Sequence, residues 1–222
     1  MARLSNSILK GLKGSMGGVV FYEVDGVTLT RSKPGKRTRA QKKRRAHSPR
    51  NQRSMGKFAM VQAYIKSFKD AIAFGFQNEA AGPSRPYHAC ASYTLLHCFS
   101  SDGENYFIDP ALIKVSLGPL CPPEDAYAQA TEEGILFAWK DNSGVSSAKP
   151  DDLAFVVLHN AESKVVRFEK LGSRRNSEQF LFERRIIGTG NQWHAYLAFS
   201  QLTRDKKKRI LSDSVYLGLI QS

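Results

Sequence analysis

Four groups of residues have the types and spacing to do chemistry. The first is Gly14-Ser-Met-Gly-Gly18. A phosphate-binding loop ends in Gly-Lys-Ser/Thr, follows a strand and opens a helix. This cluster lacks that ending and precedes a β pattern, so Gly17 and Gly18 read as a tight turn into a hairpin. The second group is acidic: Asp102 with Glu104, Glu132-Glu133 and Asp151-Asp152. Neighbouring carboxylates on a strand point to opposite faces, so these read as solvated turn residues rather than acid–base pairs. The third group is His159 and His194, each inside an apolar β pattern, where a packed or surface histidine is the simpler reading. The fourth is Cys90, Cys98 and Cys121. Their number is odd and no Cys-x-x-Cys occurs, which argues against a disulfide framework. A helix over 89–99 would hold Cys90 and Cys98 about 12 Å apart, too far to bridge. His88, Cys90, His97 and Cys98 match no standard zinc spacing. No Ser-His-Asp or Cys-His arrangement is marked by local context. The expectation is a non-enzymatic protein with no catalytic residue, metal or cofactor.

One stretch favours a binding role. Residues 31–57 hold 12 Lys/Arg and no acid. The formal net charge is +13, and residues 1–70 alone carry 17 Lys/Arg against 3 acidic residues, a net of +14. The remainder holds 16 basic and 17 acidic residues, a net of −1. Such asymmetry marks an arm that meets an anionic partner. The candidate contacts are Arg31, Lys33, Lys36, Arg37, Arg39, Lys42, Lys43, Arg44, Arg45, Arg50, Arg53 and Lys57. Arginine offers bidentate phosphate contacts and lysine a point charge. Single-strand binders interleave aromatics for stacking, and 31–57 contains no Phe, Trp or Tyr. The arm therefore suits duplex or folded nucleic acid gripped through its backbone, without sequence preference. No apolar anchor accompanies the charge, so membrane insertion is not expected.

The elements that position this arm are legible on both sides of it. Val19–Val24 and Val27–Arg31, joined by Asp25-Gly26, read as a hairpin with apolar groups on both faces. Pro34-Gly35 and Ser48-Pro49 break regular structure, and 31–57 has almost nothing to bury, so in isolation it should be disordered. Ser54 is a candidate cap for a helix from Met55, with Phe58, Val61, Ile65, Phe68 and Ile72 at helical spacing. Gly75 and Gly82-Pro83 end it. A second helix is expected over 89–99, with strands at 106–108 and 113–117. Pro119, Pro122 and Pro123 mark a boundary between a hairpin–arm–helix module over 1–122 and a β module over 123–222. Six strands follow at 135–140, 153–159, 164–168, 179–185, 193–200 and 214–220. Turn signals such as GTGN and RDKKK separate several of them. The fold class is α+β: a hairpin, a basic arm and amphipathic helices, then an antiparallel β-sandwich.

Two resemblances enter here. The last hundred residues resemble a fibronectin type III or immunoglobulin-like sandwich, through Trp139 on an early strand, Tyr196 in WHAYLAF and the closing SDSVYLGLI. That resemblance implies a scaffold used in adhesion and assembly, although fold alone assigns no function. The whole chain is similar to an uncharacterised family of unknown function common in Bacteroidetes. The residues that carry this are the Gly14–Val20 start, Arg31-Ser-Lys-Pro34, Gly75-Phe76 and SDSVYLG. It implies a shared architecture and brings no activity.

These observations lead to a protein that binds nucleic acid, or a nucleic-acid-rich particle, through its basic arm. The alternative is a structural subunit of a large assembly, a virion or cell-envelope machine, whose arm interlocks acidic surfaces of neighbouring subunits. The N-terminus lacks the apolar core of a secretory signal, so the expected location is cytoplasmic, or in a particle assembled in the cytoplasm.

Overall fold

The computed structural model describes residues 2–4, 11–24, 26–46, 48–79, 85–102, 105–203 and 208–222. Asp25 of the hairpin turn, the Gly82-Pro83 pair, Glu104 and residues 204–207 of RDKKK lie outside the described residues, as does the side chain of Arg45. The chain forms two compact units, one of residues 1–56 with 80–85 and one of residues 57–79 with 86–222. Pro119, Pro122 and Pro123 lie inside the second.

The first unit contains strands β1 (Ala2–Leu4), β2 (Gly14–Met16), β3 (Val19–Val24) and β4 (Val27–Ser32), in the order β1-β4-β3-β2. The expected hairpin is β3–β4, with Val24 opposite Val27. The glycines do more than lead into it. Met16 pairs with Val19, so Gly17-Gly18 is itself the two-residue turn of a β2–β3 hairpin. Gly17 sits at φ +55, which glycine adopts without strain. Leu29 and Thr28 on β4 are buried, and the Thr28 hydroxyl accepts from the Gly11 N–H at 2.8 Å.

From Arg39 onward the basic segment is helical, whereas a segment with so little to bury is expected to be disordered in isolation. Helix α1 spans Arg39–Ala46 and α2 spans Pro49–Ile65. Thr38 and Gln41 form a reciprocal capping box at the start of α1: the Gln41 N–H donates to Thr38 Oγ1 at 3.2 Å, and the Thr38 N–H to Gln41 Oε1 at 3.1 Å. Ala, Gln, Lys and Arg are strong helix formers, so local propensity favours a helix where burial cannot. Ser48-Pro49 ends α1 and also begins α2, because proline at the first helical position loses no hydrogen bond. Ser54 therefore lies inside α2, with its hydroxyl donating to the Arg50 carbonyl at 3.0 Å, and is not a cap.

In the second unit α2 continues from Lys57, followed by a 3-10 turn (Lys66–Phe68), α3 (Lys69–Gly75) and α4 (Pro86–His97). Val61, Ile65, Phe68 and Ile72 are buried at their helical spacing, whereas Phe58 is 52% exposed. Two short strands, β5 (Phe99–Ser101) and β6 (Tyr106–Ile108), pair after α4. Then come β7 (Glu124–Ala130), β8 (Gly134–Lys140), β9 (Leu153–Asn160), β10 (Val165–Glu169), β11 (Gln179–Glu183), the short α5 (Arg184–Ile187), β12 (Gln192–Leu202), β13 (Arg209–Leu211) and β14 (Val215–Gln221). All six expected strands are present in two antiparallel sheets. One runs β10-β9-β12, with β13 and β14 both paired to the far side of the long β12; the other runs β11-β8-β7.

The five-stranded sheet is buried on both faces. Ala154, Val156, Leu158, Ala195, Leu197 and Phe199 pack against Ile135, Phe137, Trp139 and Phe182 of the three-stranded sheet. The alternate residues Phe155, Val157, Tyr196 and Ala198 pack against Val61, Ile65, Phe68, Ile72 and Phe76 from the helices. The result is helices, five-stranded sheet and three-stranded sheet in three layers. Near-continuous apolar runs such as LAFVVL follow from that double burial. Tyr196 thus faces the helical layer, and its hydroxyl donates to the Pro110 carbonyl at 2.9 Å.

Residues 113–117 are not a strand. Their backbone pairs in part with SDSVYLG, while the Leu117 N–H donates to the Gly75 carbonyl and the Ile113 N–H to the Pro110 carbonyl. The Val115 N–H donates to Ser214 Oγ at 2.9 Å, the Ser214 N–H to the Ser116 carbonyl at 3.0 Å, and the Gly118 N–H to Asp213 Oδ1 at 3.2 Å. Serine and aspartate take the place of a ladder partner. Gly75 is part of the same junction, since a Cβ there would lie 1.9 Å from the Val115 carbonyl oxygen.

Candidate nucleic-acid interface

The β2–β3–β4 sheet is followed directly by the arm. The Lys33 N–H donates to the Gly18 carbonyl at 2.7 Å, which ties the start of the basic run back to the glycine turn. Residues 33–38 have no regular structure and lead to the Thr38 cap. Arg31, Lys33, Lys36, Arg37, Arg39, Lys42, Lys43, Arg44, Arg50 and Arg53 are all exposed. Among the described residues none of them pairs with a carboxylate. Arg31 lies 5.7 Å from the centre of the Tyr22 ring.

Helical spacing places Arg39, Lys42 and Lys43 on one face of α1, at i, i+3 and i+4, with Arg44 on another. In α2, Arg50 and Arg53 share a face. Helix α1 is 8 residues long, about 12 Å, and carries five Lys/Arg. The same length of duplex carries about seven phosphates. Like charges at i, i+3 and i+4 repel, and α1 has no acidic residue in its first turn to offset them. An anionic surface would relieve that repulsion.

Lys57 stands apart from the rest. It belongs to the second unit, is half-buried, and its ammonium sits 3.9 Å from the centre of the Tyr106 ring and 4.9 Å from that of Phe99. That cation–π site already occupies the charge.

The remaining chemistry-bearing residues lie elsewhere. Cys90 and Cys98 are buried, and burial pushes their thiols up to about 12 and about 11, which leaves them protonated and inert. Cys121 is also a free thiol. Glu132, Glu133 and Asp151 are exposed as expected, but Asp152 is not a solvated turn residue. It is buried against Arg175, whose Nε lies 3.1 Å from Asp152 Oδ2. A carboxylate beside a turn gives no sign in the sequence that an arginine 23 positions later will pair with it. Among the described residues no group of three or more His, Cys, Asp or Glu side chains converges as a metal site would, and no helix is long and apolar enough to cross a membrane.

His159 and His194 face each other across β9 and β12, with ring centres 6.3 Å apart. His194 Nδ1 is 2.9 Å from the Tyr216 hydroxyl. His159 packs against Phe68 at 4.3 Å and Tyr64 at 5.0 Å between ring centres, and Lys164 lines the same cleft. Burial, with the neighbouring His194, depresses the His159 pKa from 6.5 to about 4. The folded state then binds this proton less readily than the unfolded chain. Its contribution to stability is complete above about pH 6.5 and is lost as pH falls toward about 4. At about pH 5 the loss amounts to about 2 kcal/mol. Urea denaturation of the parent and of His159→Phe at about pH 7 and about pH 5 isolates the effect, because other titrating groups are common to both proteins. The parent should lose about 2 kcal/mol more than the variant; parallel losses would show that His159 titrates normally.

A family described as being of unknown function (DUF6266) matches residues 11–218. The chain belongs to that family. No curated protein and no solved structure matches the chain.

Proposed function

We propose that this member of the family is a non-enzymatic binding protein whose basic arm, Arg31 to Arg53, grips nucleic acid or a nucleic-acid-rich particle without sequence specificity. The observation that carries the reading is α1. It is a capped helix with charge on several faces, exposed at every described cation and without an acidic partner among the described residues. Such a helix gains little from packing and is opposed by its own charge, so its natural complement is a dense row of anions. Nothing in the arm reads bases, so binding rests on phosphate contacts. The sheets behind Trp139 and Tyr196, in this reading, serve as a fibronectin-like or immunoglobulin-like scaffold toward protein partners.

Purification at low salt without nuclease tests the reading. Ultraviolet absorbance of the protein peak should show co-purifying nucleic acid that a high-salt wash removes. A peak free of nucleic acid at low salt, with acidic protein subunits bound instead, would contradict the reading and favour the interlocking-subunit alternative.

A further inference from the structure

The second unit contains a cleft of about 310 Å³ that the basic arm does not use, lined by Met60, Ala63, Tyr64, Ser67, Ile108, His159, Ala161 and Lys164. Its walls are mostly apolar, as in small-molecule sites. Its floor is not. His159 is 2% exposed, and its Nδ1 has no hydrogen-bond partner. The Tyr64 hydroxyl, in the same cleft, has no partner within hydrogen-bond geometry, its polar neighbour there being the Tyr196 hydroxyl. Buried polar atoms are nearly always satisfied, and two orphans in one cleft are atoms a ligand can complete. At the rim, Lys164 is exposed and supplies positive charge. An apolar wall, a floor of aromatic edges with orphaned polar atoms and a cation at the mouth define one ligand chemistry.

We propose that this cleft binds a small aromatic carboxylate. Its ring lies against Met60, Tyr64 and Ile108, its acid pairs with Lys164, and a ring hydroxyl or amine meets His159 and Tyr64. The volume equals that of about ten waters, which suits a single substituted ring. The site is independent of the arm, so the two proposals fail separately.

The test is calorimetric titration of the full chain with 4-hydroxybenzoate, with toluene as the apolar comparison. Saturable binding of 4-hydroxybenzoate is expected, weakened about tenfold by His159→Phe through loss of one hydrogen bond. Lys164 has φ +56, so Lys164→Asn removes the charge with a residue that tolerates this backbone. It should weaken binding severalfold at low salt and not at high salt. Thermal melts check that both variants fold; if His159→Phe does not, Lys164→Asn decides alone. Absence of saturable binding, equal affinity for toluene, or unchanged affinity in the folded variants would overturn the proposal.

Discussion

Replacing Asp152 by alanine is expected to destabilise the protein by about 3–5 kcal/mol, the range for removing one member of a buried ion pair. The side chains of Asp152 and Arg175 are both fully buried. Arg175 Nε donates to Asp152, its terminal nitrogens reach Asn142 and the Cys121 carbonyl, and its guanidinium lies 3.8 Å from the centre of the Phe199 ring. Its own carbonyl accepts from Trp139 Nε1 at 2.7 Å. Asp152 also accepts from the Lys149 N–H at 2.9 Å and from Gln201 Nε2 at 2.8 Å. One pair therefore ties the 119–123 segment, the 141–152 loop, β8 and β12 into a single network. Asp152→Ala strands a buried cation, whereas Asp152→Leu with Arg175→Met removes both charges. The double variant should be less destabilised than Asp152→Ala alone. Denaturant unfolding of the three proteins measures this. A single variant within about 1 kcal/mol of the parent, or a double variant that is worse, would show that the network does not hold the sheets together.

Much of this architecture is legible in the sequence, and the gaps have physical causes. The six strands were visible because β-branched and aromatic residues alternate or run together between turn signals. Strand β7 was not, since EDAYAQA exposes Tyr127 and turns only alanines, Ala126 and Ala128, toward the core. Its alanines carry no β signal. Strand β13 is 3 residues long, too short for any periodicity. The basic run reads as lacking regular structure because it has nothing to bury, yet its T-x-x-Q capping box and helix-forming residues decide the local conformation. The Asp152–Arg175 pair was illegible for a different reason. Both residues sit in polar loops, and only the packing of β8 on β12 makes those loops interior. The exposed cations of the proposed arm were countable in the sequence, since charge needs no fold to be counted. Lys57 is the exception, because its partners Phe99 and Tyr106 come from distant β5 and β6.

Changing Lys42, Lys43, Arg44 and Arg45 together to alanine is expected to produce the largest change in binding. Alanine is the best helix former, so α1 and its capping box should persist while four of its five cations vanish. Each phosphate contact contributes about 0.9 to the log–log salt slope on duplex DNA. If about half of the arm's cations engage at once, the parent slope should have a magnitude of roughly 5, and the variant could lose as much as 3 to 4 of it. Affinity should fall by a similar factor on unrelated sequences, because phosphate contacts position without reading bases. Circular dichroism would confirm that helix content is retained, which separates lost charge from lost structure.

A salt titration of parent and quadruple variant on two unrelated duplexes is the most direct measurement of the central claim. The predicted result is a steep slope shared by both duplexes in the parent, and a shallow one with weakened binding in the variant. Unchanged slope and affinity in the variant would contradict it.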